Sequence, residues 1–285
     1  MNDLSLIAIN LTRRCNLACA HCYLDAKTLR APSPTELNTE EVCRLLEDVS
    51  RAGDGTMVVL TGGEPLVRSD IEEITAFGAG LNLAMVVGTN GTLLTAARVR
   101  SLKDAGLLGV GISVDSLDSA RHDGFRGQAG TWAKTMAGIE NCRQHGLSFQ
   151  IHFSVTEDNA DELPSMVEFA SASGARVLNL FFLVCTGRGE SITDISPLRY
   201  EKLLEEIIEL QEHNQSLIIR PRCAPHFKRV AYQRDPDALV NRISGKEGDG
   251  CIAGTHYCRI TPQGGVTACP YIAEEVGSIR RQSFE

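Results

Sequence analysis

Short apolar runs recur along the chain as far as residue 184: LIAINL (6–11), MVVLTG (57–62), AMVVGTN (84–90), GVGISVD (109–115), FQIHFSV (149–155) and VLNLFFLV (177–184). Each is rich in β-branched residues and bounded by Gly, Asn or Asp, the pattern of buried parallel strands. Between and after them run amphipathic stretches with helical periodicity: Thr39 to Ala52, Asp70 to Gly80, Thr95 to Ala105, Thr131 to His145, Asn159 to Ser173 and Pro197 to His213. Thr39, Asp70 and Thr95 stand where a helix would be capped, and Gly53, Gly106, Gly146 and Gly174 stand where helices would close. Six β/α units in succession, joined by right-handed crossovers, predict an α/β fold in which parallel strands curl. Six units are too few for a closed eight-stranded barrel, so an open, partial (β/α)6 TIM-like barrel is expected. Its functional loops should follow the strands, at their C-terminal ends.

Beyond residue 214 the texture changes. SLIIRPRCAPHFKR reads as a strand running into a basic loop, KEGDG (246–250) as a polar linker, and HYCRITPQGGVTACPY as a hairpin turning at Pro262 to Gly265. The expected organisation is a barrel over 1–214 and a small cysteine-containing hairpin region over 215–285.

Composition narrows the partners. The formal charge of −8 argues against a nucleic-acid surface, and aromatic residues at 5% leave few stacking platforms for bases. MNDLSLIAINLTRR has no basic region before a long apolar core, and no run is long enough to span a membrane, so a cytoplasmic protein is expected. The ten cysteines are then metal ligands or reactive thiols rather than a disulfide framework. Cys43, Cys142 and Cys185 stand alone and read as small buried hydrophobes. Cys15, Cys19 and Cys22 fall within eight positions, in the loop after the first strand. Three thiolates are one more than a disulfide uses and one fewer than a tetrahedral structural zinc usually takes. They suit a [4Fe–4S] cluster with one iron left open; a zinc site closed by His21 or a distant cysteine is the alternative. LTGGEP (60–65) ends the second strand with Gly62, Gly63 and Glu64. The glycines allow another backbone or a ligand to approach, and Glu64 could accept hydrogen bonds from an ammonium group. Alone, that motif could equally be a tight surface turn.

In this order and strand context, CNLACAHC and GGEP resemble the radical S-adenosylmethionine (SAM) superfamily, and the resemblance spans the β/α region. It implies a cluster on Cys15, Cys19 and Cys22, with the SAM amino group near Gly62, Gly63 and Glu64. It places His21 in a slot usually held by an aromatic whose backbone lies near the adenine. In ISVDS (112–116) it makes Ser113 and Asp115 candidates for the methionine and ribose portions of SAM. LVCTGRG (183–189) resembles the segment whose backbone passes the adenine, at Val184. The implied chemistry is one-electron cleavage of SAM at the reduced cluster, giving a 5′-deoxyadenosyl radical that abstracts hydrogen from a substrate. An electron donor such as flavodoxin or ferredoxin is implied as a partner.

Cys258 and Cys269, with Gly264 between them, resemble the opening of a SPASM-type auxiliary cluster domain, of which the further dense group of cysteines does not follow. Cys223, Cys251, Cys258 and Cys269 could hold an auxiliary iron–sulfur cluster or a structural zinc. RPRCAPHFKR (220–229) gathers Arg220, Arg222, Lys228 and Arg229. That run is either a solvated basic face or an electropositive wall for a polycarboxylate substrate. Together with NLFFLVCTGRG and GCIAGTHYCRITPQGGVTACPY, it resembles the radical SAM enzymes of alternative heme and d-type heme biosynthesis. Those act on carboxylate side chains of iron tetrapyrroles, by oxidative decarboxylation or side-chain removal, and a small-molecule substrate of that kind is the expectation. The alternatives are a SPASM-type peptide-modifying maturase and, outside enzymes, an iron–sulfur or zinc scaffold that does not cleave SAM.

Overall fold

Each of the six apolar runs is a strand: β1 Leu6–Asn10, β2 Met57–Thr61, β3 Ala84–Thr89, β4 Gly109–Ser113, β5 Ser148–Val155 and β6 Val177–Phe182. The structure is a computed structural model describing all residues except 1–3, 27, 29–30, 54, 193–194, 238–240, 242–250 and 285. The polar stretch KEGDG lies outside the described residues. β1 to β6 pair in sequence order, every pair parallel, and β7 (Ile218–Arg222) continues the series beside β6. This is the α/β, TIM-like arrangement that the β/α alternation predicts. Eight α-helices are described: α1 Thr39–Ala52, α2 Ile71–Gly80, α3 Ala96–Asp104, α4 Ser119–Arg126, α5 Thr131–His145, α6 Leu163–Ser173, α7 Pro197–His213 and α8 Phe227–Arg234. Among these, α4 and α8 have no counterpart in the sequence pattern.

The residues after 214 extend the sheet at both edges. β7 joins β6, while β8 (Tyr257–Ile260) crosses the molecule to pair parallel with β1, on the side away from β2. β9 (Gly265–Thr267) returns antiparallel to β8 through the expected turn, where Gly264 has φ +90°, and β10 (Glu275–Ser278) folds back on β9. The result is one ten-stranded sheet with β7 and β10 as its edges.

Local chemistry explains the helix ends. α1 starts one residue earlier in its capping than the sequence suggests. Asn38 accepts from the Glu41 amide (2.9 Å) and the Glu41 carboxylate accepts from the Asn38 amide (2.9 Å), a reciprocal capping box. Asp70 precedes α2 without capping it, because its carboxylate is held by Arg68 and the Thr39 hydroxyl. Thr95 caps α3 as expected.

Period-two alternation sorts each strand into two faces. On β5, Phe149, Ile151, Phe153 and Val155 enter the core shared with the helices, while Gln150, His152 and Ser154 alternate to the half-buried barrel interior. There Asn179 of β6 donates to the Gln150 side chain (2.7 Å), and Arg222 of β7 donates to Asn179 (3.1 Å). A polar chain thus crosses three strands inside the barrel. Among the described residues no helix is long and apolar enough to cross a membrane. Phe153 is fully buried at the centre of this core. Phe153→Ala should therefore lower unfolding free energy by about 3–5 kcal/mol, read from denaturant titration; a loss below about 1 kcal/mol would contradict its central place in the packing.

Candidate active site

The loop that leaves β1 carries three thiols and is held from outside itself. Glycines make the first grip. A Cβ on Gly63 would collide with the Arg14 carbonyl, and one on Gly62 would sit 2.5 Å from the Thr12 carbonyl. Gly62 also has φ +143°, which side chains rarely adopt. Because both lack side chains, the Gly63 amide reaches Thr12 O (2.8 Å) and the Glu64 amide reaches Arg14 O (2.9 Å). Gly62 and Gly63 thus seat the backbone that leads into the cysteines. Further round the loop, Ala18 and Ala20 donate to the carbonyls of Arg126 (3.3 Å) and Phe125 (3.0 Å) at the end of α4. Gly187 lies against the Cys22 and Tyr23 carbonyls, and the Arg188 amide donates to Cys22 O (3.2 Å). The Arg188 guanidinium donates to Cys19 O (2.9 Å), Ala26 O (2.8 Å) and the Asp25 carboxylate (2.9 Å), stapling the far half of the loop.

Each thiol accepts one hydrogen bond: Cys15 from the Leu17 amide (3.4 Å), Cys22 from the Ala26 amide (3.4 Å) and Cys19 from the Arg126 guanidinium (3.6 Å). Donors aimed at sulfur favour the thiolate that binds metal. Burial works the other way, pushing the Cys15 thiol up to about 12, so a metal must take the place of its proton. Beside Cys15 a cleft of about 240 Å³ is lined by Arg14, Cys15, Asn16, Thr28 and Val67. Arg14 Nε is a buried donor with no hydrogen-bond partner among the described residues. Also among those residues, no three His, Cys, Asp or Glu side chains are placed to hold a single metal ion. Three thiols that each serve a separate iron need no such convergence. The donor set, the unpartnered Arg14 Nε and the adjoining cleft all fit an iron–sulfur cluster on Cys15, Cys19 and Cys22.

The neighbouring groups form a buried electrostatic layer. Asp115 and Arg126 make an ion pair at 2.5 Å, both nearly inaccessible. Burial opposes the Asp115 charge, but Arg126, His21 and His122 outweigh it and hold the carboxyl below its usual range. Asp115 also accepts from the Ser154 amide (3.0 Å). His21 stacks on Phe125 at 4.3 Å between centroids, and its Nε2 lies 3.4 Å from the Ser154 hydroxyl. Burial pushes the His21 imidazole down to about 4, leaving it neutral. Ser113 lies on the interior face of β4, paired with His152. Val184 follows β6 in the segment that delivers Arg188 to the cysteine loop, and its carbonyl accepts from the Thr186 amide (2.8 Å). Glu64 is fully buried and accepts from the Thr89 hydroxyl (2.8 Å), the Asn90 amide (2.8 Å) and the Leu66 amide (3.1 Å).

Sequence reasoning missed Arg126, Arg188, Asn90 and Asn16. Arg188 lies inside the quoted LVCTGRG and could have been found as a lone cation between glycines. Arg126 gives no such signal, since α4 lacks an apolar stripe. Asn90 joins the cysteine loop by donating to Asn16 (2.9 Å).

The other candidates are only partly brought together. Arg220 and Arg222 alternate with the buried Ile219, so both lie on the interior face of β7. Arg229 does not join them: it is exposed on α8, paired with Glu201 of α7 (2.6 Å). Lys228 is half-buried on the same helix. Cys223, with φ +58°, lies within electrostatic reach of Cys251 and Cys269, and bonds the Tyr271 hydroxyl. Cys258 instead packs against the main core, opposite Ile7 on β1.

Comparison with known proteins identifies the family. Residues 9–170 match the model of the Radical SAM superfamily. The AdoMet-dependent heme synthase of Methanosarcina barkeri is 37% identical over 284 residues, covering 98% of this chain and 80% of that protein. The pre-heme d1 synthase of Dinoroseobacter shibae is 34% identical, over 96% of this chain and 70% of that one. The fold matches SuiB of Streptococcus suis bound to S-adenosylmethionine, with a TM-score of 0.79 at 17% identity, over 99% of this chain and 64% of SuiB. The chain belongs to the radical SAM superfamily and is an enzyme, whose family cofactors are a [4Fe–4S] cluster and SAM. Within that superfamily its similarity runs to the enzymes of alternative heme and d-type heme synthesis.

If the Gly63 contact seats the loop, Gly63→Ala should sharply reduce iron uptake on anaerobic reconstitution. The variant should approach the level of a triple Cys15, Cys19, Cys22 alanine variant, which loses about four irons per chain. Undiminished iron in Gly63→Ala would mean the loop does not need that contact.

His152 yields a pH prediction. Burial, then the nearby Arg222 and Arg126, push its imidazole down to about 4 from 6.5, against an opposing pull from Asp115. The unfolded chain therefore takes up a proton between those values while the folded chain does not. Stability should fall as pH drops from about 6.5 toward about 4. His152→Gln should flatten part of that slope in denaturant titrations at stepped pH; an identical slope would exclude His152 as a contributor.

Proposed function

We propose that this enzyme oxidatively decarboxylates or removes carboxylate side chains of an iron tetrapyrrole in heme or d-type heme synthesis. The observation that carries the proposal is the 37% identity to a heme synthase along 98% of the chain. Arg220 and Arg222 on the interior face of β7 support it, being cations placed where carboxylates of a substrate could be met inside the barrel. When bound, the cluster and SAM supply a 5′-deoxyadenosyl radical able to remove a hydrogen atom from an unactivated carbon. The rest falls to the protein. Cys15, Cys19 and Cys22 would hold the cluster, with the Leu17 amide, the Ala26 amide and Arg126 donating to their sulfurs. Glu64, Ser113, Asp115, His21 and Val184, with Gly62 and Gly63 behind the loop, form the proposed SAM site.

Residues 215–285 are proposed as an auxiliary iron–sulfur region, built on Cys223, Cys251 and Cys269. For Cys258 to join them, it would have to leave the core against which it packs. A one-electron donor of the flavodoxin or ferredoxin kind completes the system.

The test is a panel of iron and metal-free tetrapyrroles given to the anaerobically reconstituted enzyme with SAM and reductant. Formation of 5′-deoxyadenosine together with a tetrapyrrole product lacking carboxylate side chains is expected. Tetrapyrrole binding should weaken as ionic strength rises, and Arg222→Glu should weaken it further while leaving uncoupled SAM cleavage unchanged. Binding of a peptide but of no tetrapyrrole at micromolar concentration would replace this function with peptide modification.

A further inference from the structure

The barrel interior contains a histidine that neither the cysteine loop nor the proposed SAM site uses. We propose that His152 ligates the iron of the tetrapyrrole substrate, an inference that rests on the function proposed above.

Four observations converge on it. The first is position. His152 lies between Gln150 and Ser154 on the interior face of β5, paired with Ser113 of β4 on one side and Asn179 of β6 on the other. It therefore lies one step deeper in the barrel than Ser154, which touches His21 of the cysteine loop. A substrate held there would sit beneath the proposed SAM site.

The second is the space made for its ring. The imidazole lies over Gly111 of β4, where any Cβ would collide with it. Phe181 of β6 steadies the other side, at 5.2 Å between centroids and 59° between planes. Glycine beneath the ring and phenylalanine beside it orient the imidazole through packing alone.

The third is that its nitrogens are uncommitted. Among the described residues, neither ring nitrogen of His152 makes a hydrogen bond. The two comparable histidines differ: His122 Nδ1 accepts from the Asp115 amide (3.3 Å), and His21 meets the Ser154 hydroxyl. Neither nitrogen is among the buried polar atoms left without a partner, so both face space that a ligand can reach, whereas His21 Nδ1 and His122 Nε2 are enclosed. At neutral pH this ring is uncharged, so the lone pair that metals bind is available.

The fourth is its company. Phe181 pairs in register with Arg222, which puts an aromatic face between His152 and the interior cation of β7. His152 and Arg222 are two strands apart, about 10 Å across the sheet. An iron macrocycle bound through His152 would thus lay its apolar body over Phe181 and extend a peripheral carboxylate toward Arg222. Proteins hold haem iron through a neutral histidine in this way.

The test uses the anaerobically reconstituted full chain without reductant, with ferric coproporphyrin and metal-free coproporphyrin as probes. Absorption and low-temperature electron paramagnetic resonance report the iron ligand. The unaltered enzyme should bind the ferric compound more tightly than the metal-free one, with the signature of nitrogen ligation. His152→Ala should lose that signature and bind the ferric probe at least about tenfold more weakly, while its affinity for the metal-free probe stays the same. Imidazole added to this variant should restore the signature, which a merely structural role would not allow. Retention of nitrogen ligation and full affinity in His152→Ala would overturn the proposal. Equal binding of both probes by the unaltered enzyme, without nitrogen ligation, would overturn it too and leave the tetrapyrrole function standing. Failure of the unaltered enzyme to bind either probe would remove that function and this ligand with it.

Discussion

The close approach of Gly63 to the Arg14 carbonyl is the contact on which the rest of the site depends. The cysteine loop forms no regular element, so it has few internal partners for its own amides and carbonyls. The structure satisfies them from outside: β2 through Gly62 to Glu64, α4 through its last carbonyls, and the segment after β6 through Arg188. The geometry of the thiols is therefore set by the mouth of the barrel as a whole. Substitutions remote in sequence, at Gly187 or Arg188, should act on the same site as substitutions among the cysteines.

The electrostatic layer beneath the loop follows from the same packing. Burying thiols, a carboxylate and a carboxylate–guanidinium pair together is unfavourable unless the charges are matched and bonded. Arg126 answers to both Asp115 and Cys19, so it couples the cluster loop to β4. Replacing it would strand a buried carboxylate, which costs more than the loss of one pair. His21 and His152 are kept neutral beside it, mainly by burial and partly by its charge.

How much of this was legible in the sequence depended on range. Strands β1 to β6 announced themselves because at least one face of each enters the core, which leaves a short apolar run set off from the amphipathic helices. α4 was missed because its eight residues, SARHDGFR, carry no apolar stripe; the helix exists to present Arg126 and Phe125 to the loop. The hairpin of β8 and β9 was visible through its turn, but not its partner, because the pairing of Tyr257 with Leu6 spans nearly the whole chain. In the candidate site, the motifs singled out Cys15, Cys19, Cys22 and Glu64. The basic run was read as one group of four cations; the structure separates it, with Arg220 and Arg222 on one face of β7 and the turn that follows sending Arg229 to Glu201.

The central claim is that the protein shapes the cysteine loop before any cluster arrives. Amide hydrogen exchange on the metal-free protein under anaerobic, reducing conditions tests it most directly. The amides of Ala18 and Ala20, bonded to the end of α4, should be protected to an extent comparable with neighbouring strand amides, and Arg188→Met should abolish that protection in the far half of the loop, including the Ala26 amide. Exchange at the rate of an unstructured peptide throughout residues 15–26 of the unaltered protein would contradict the account.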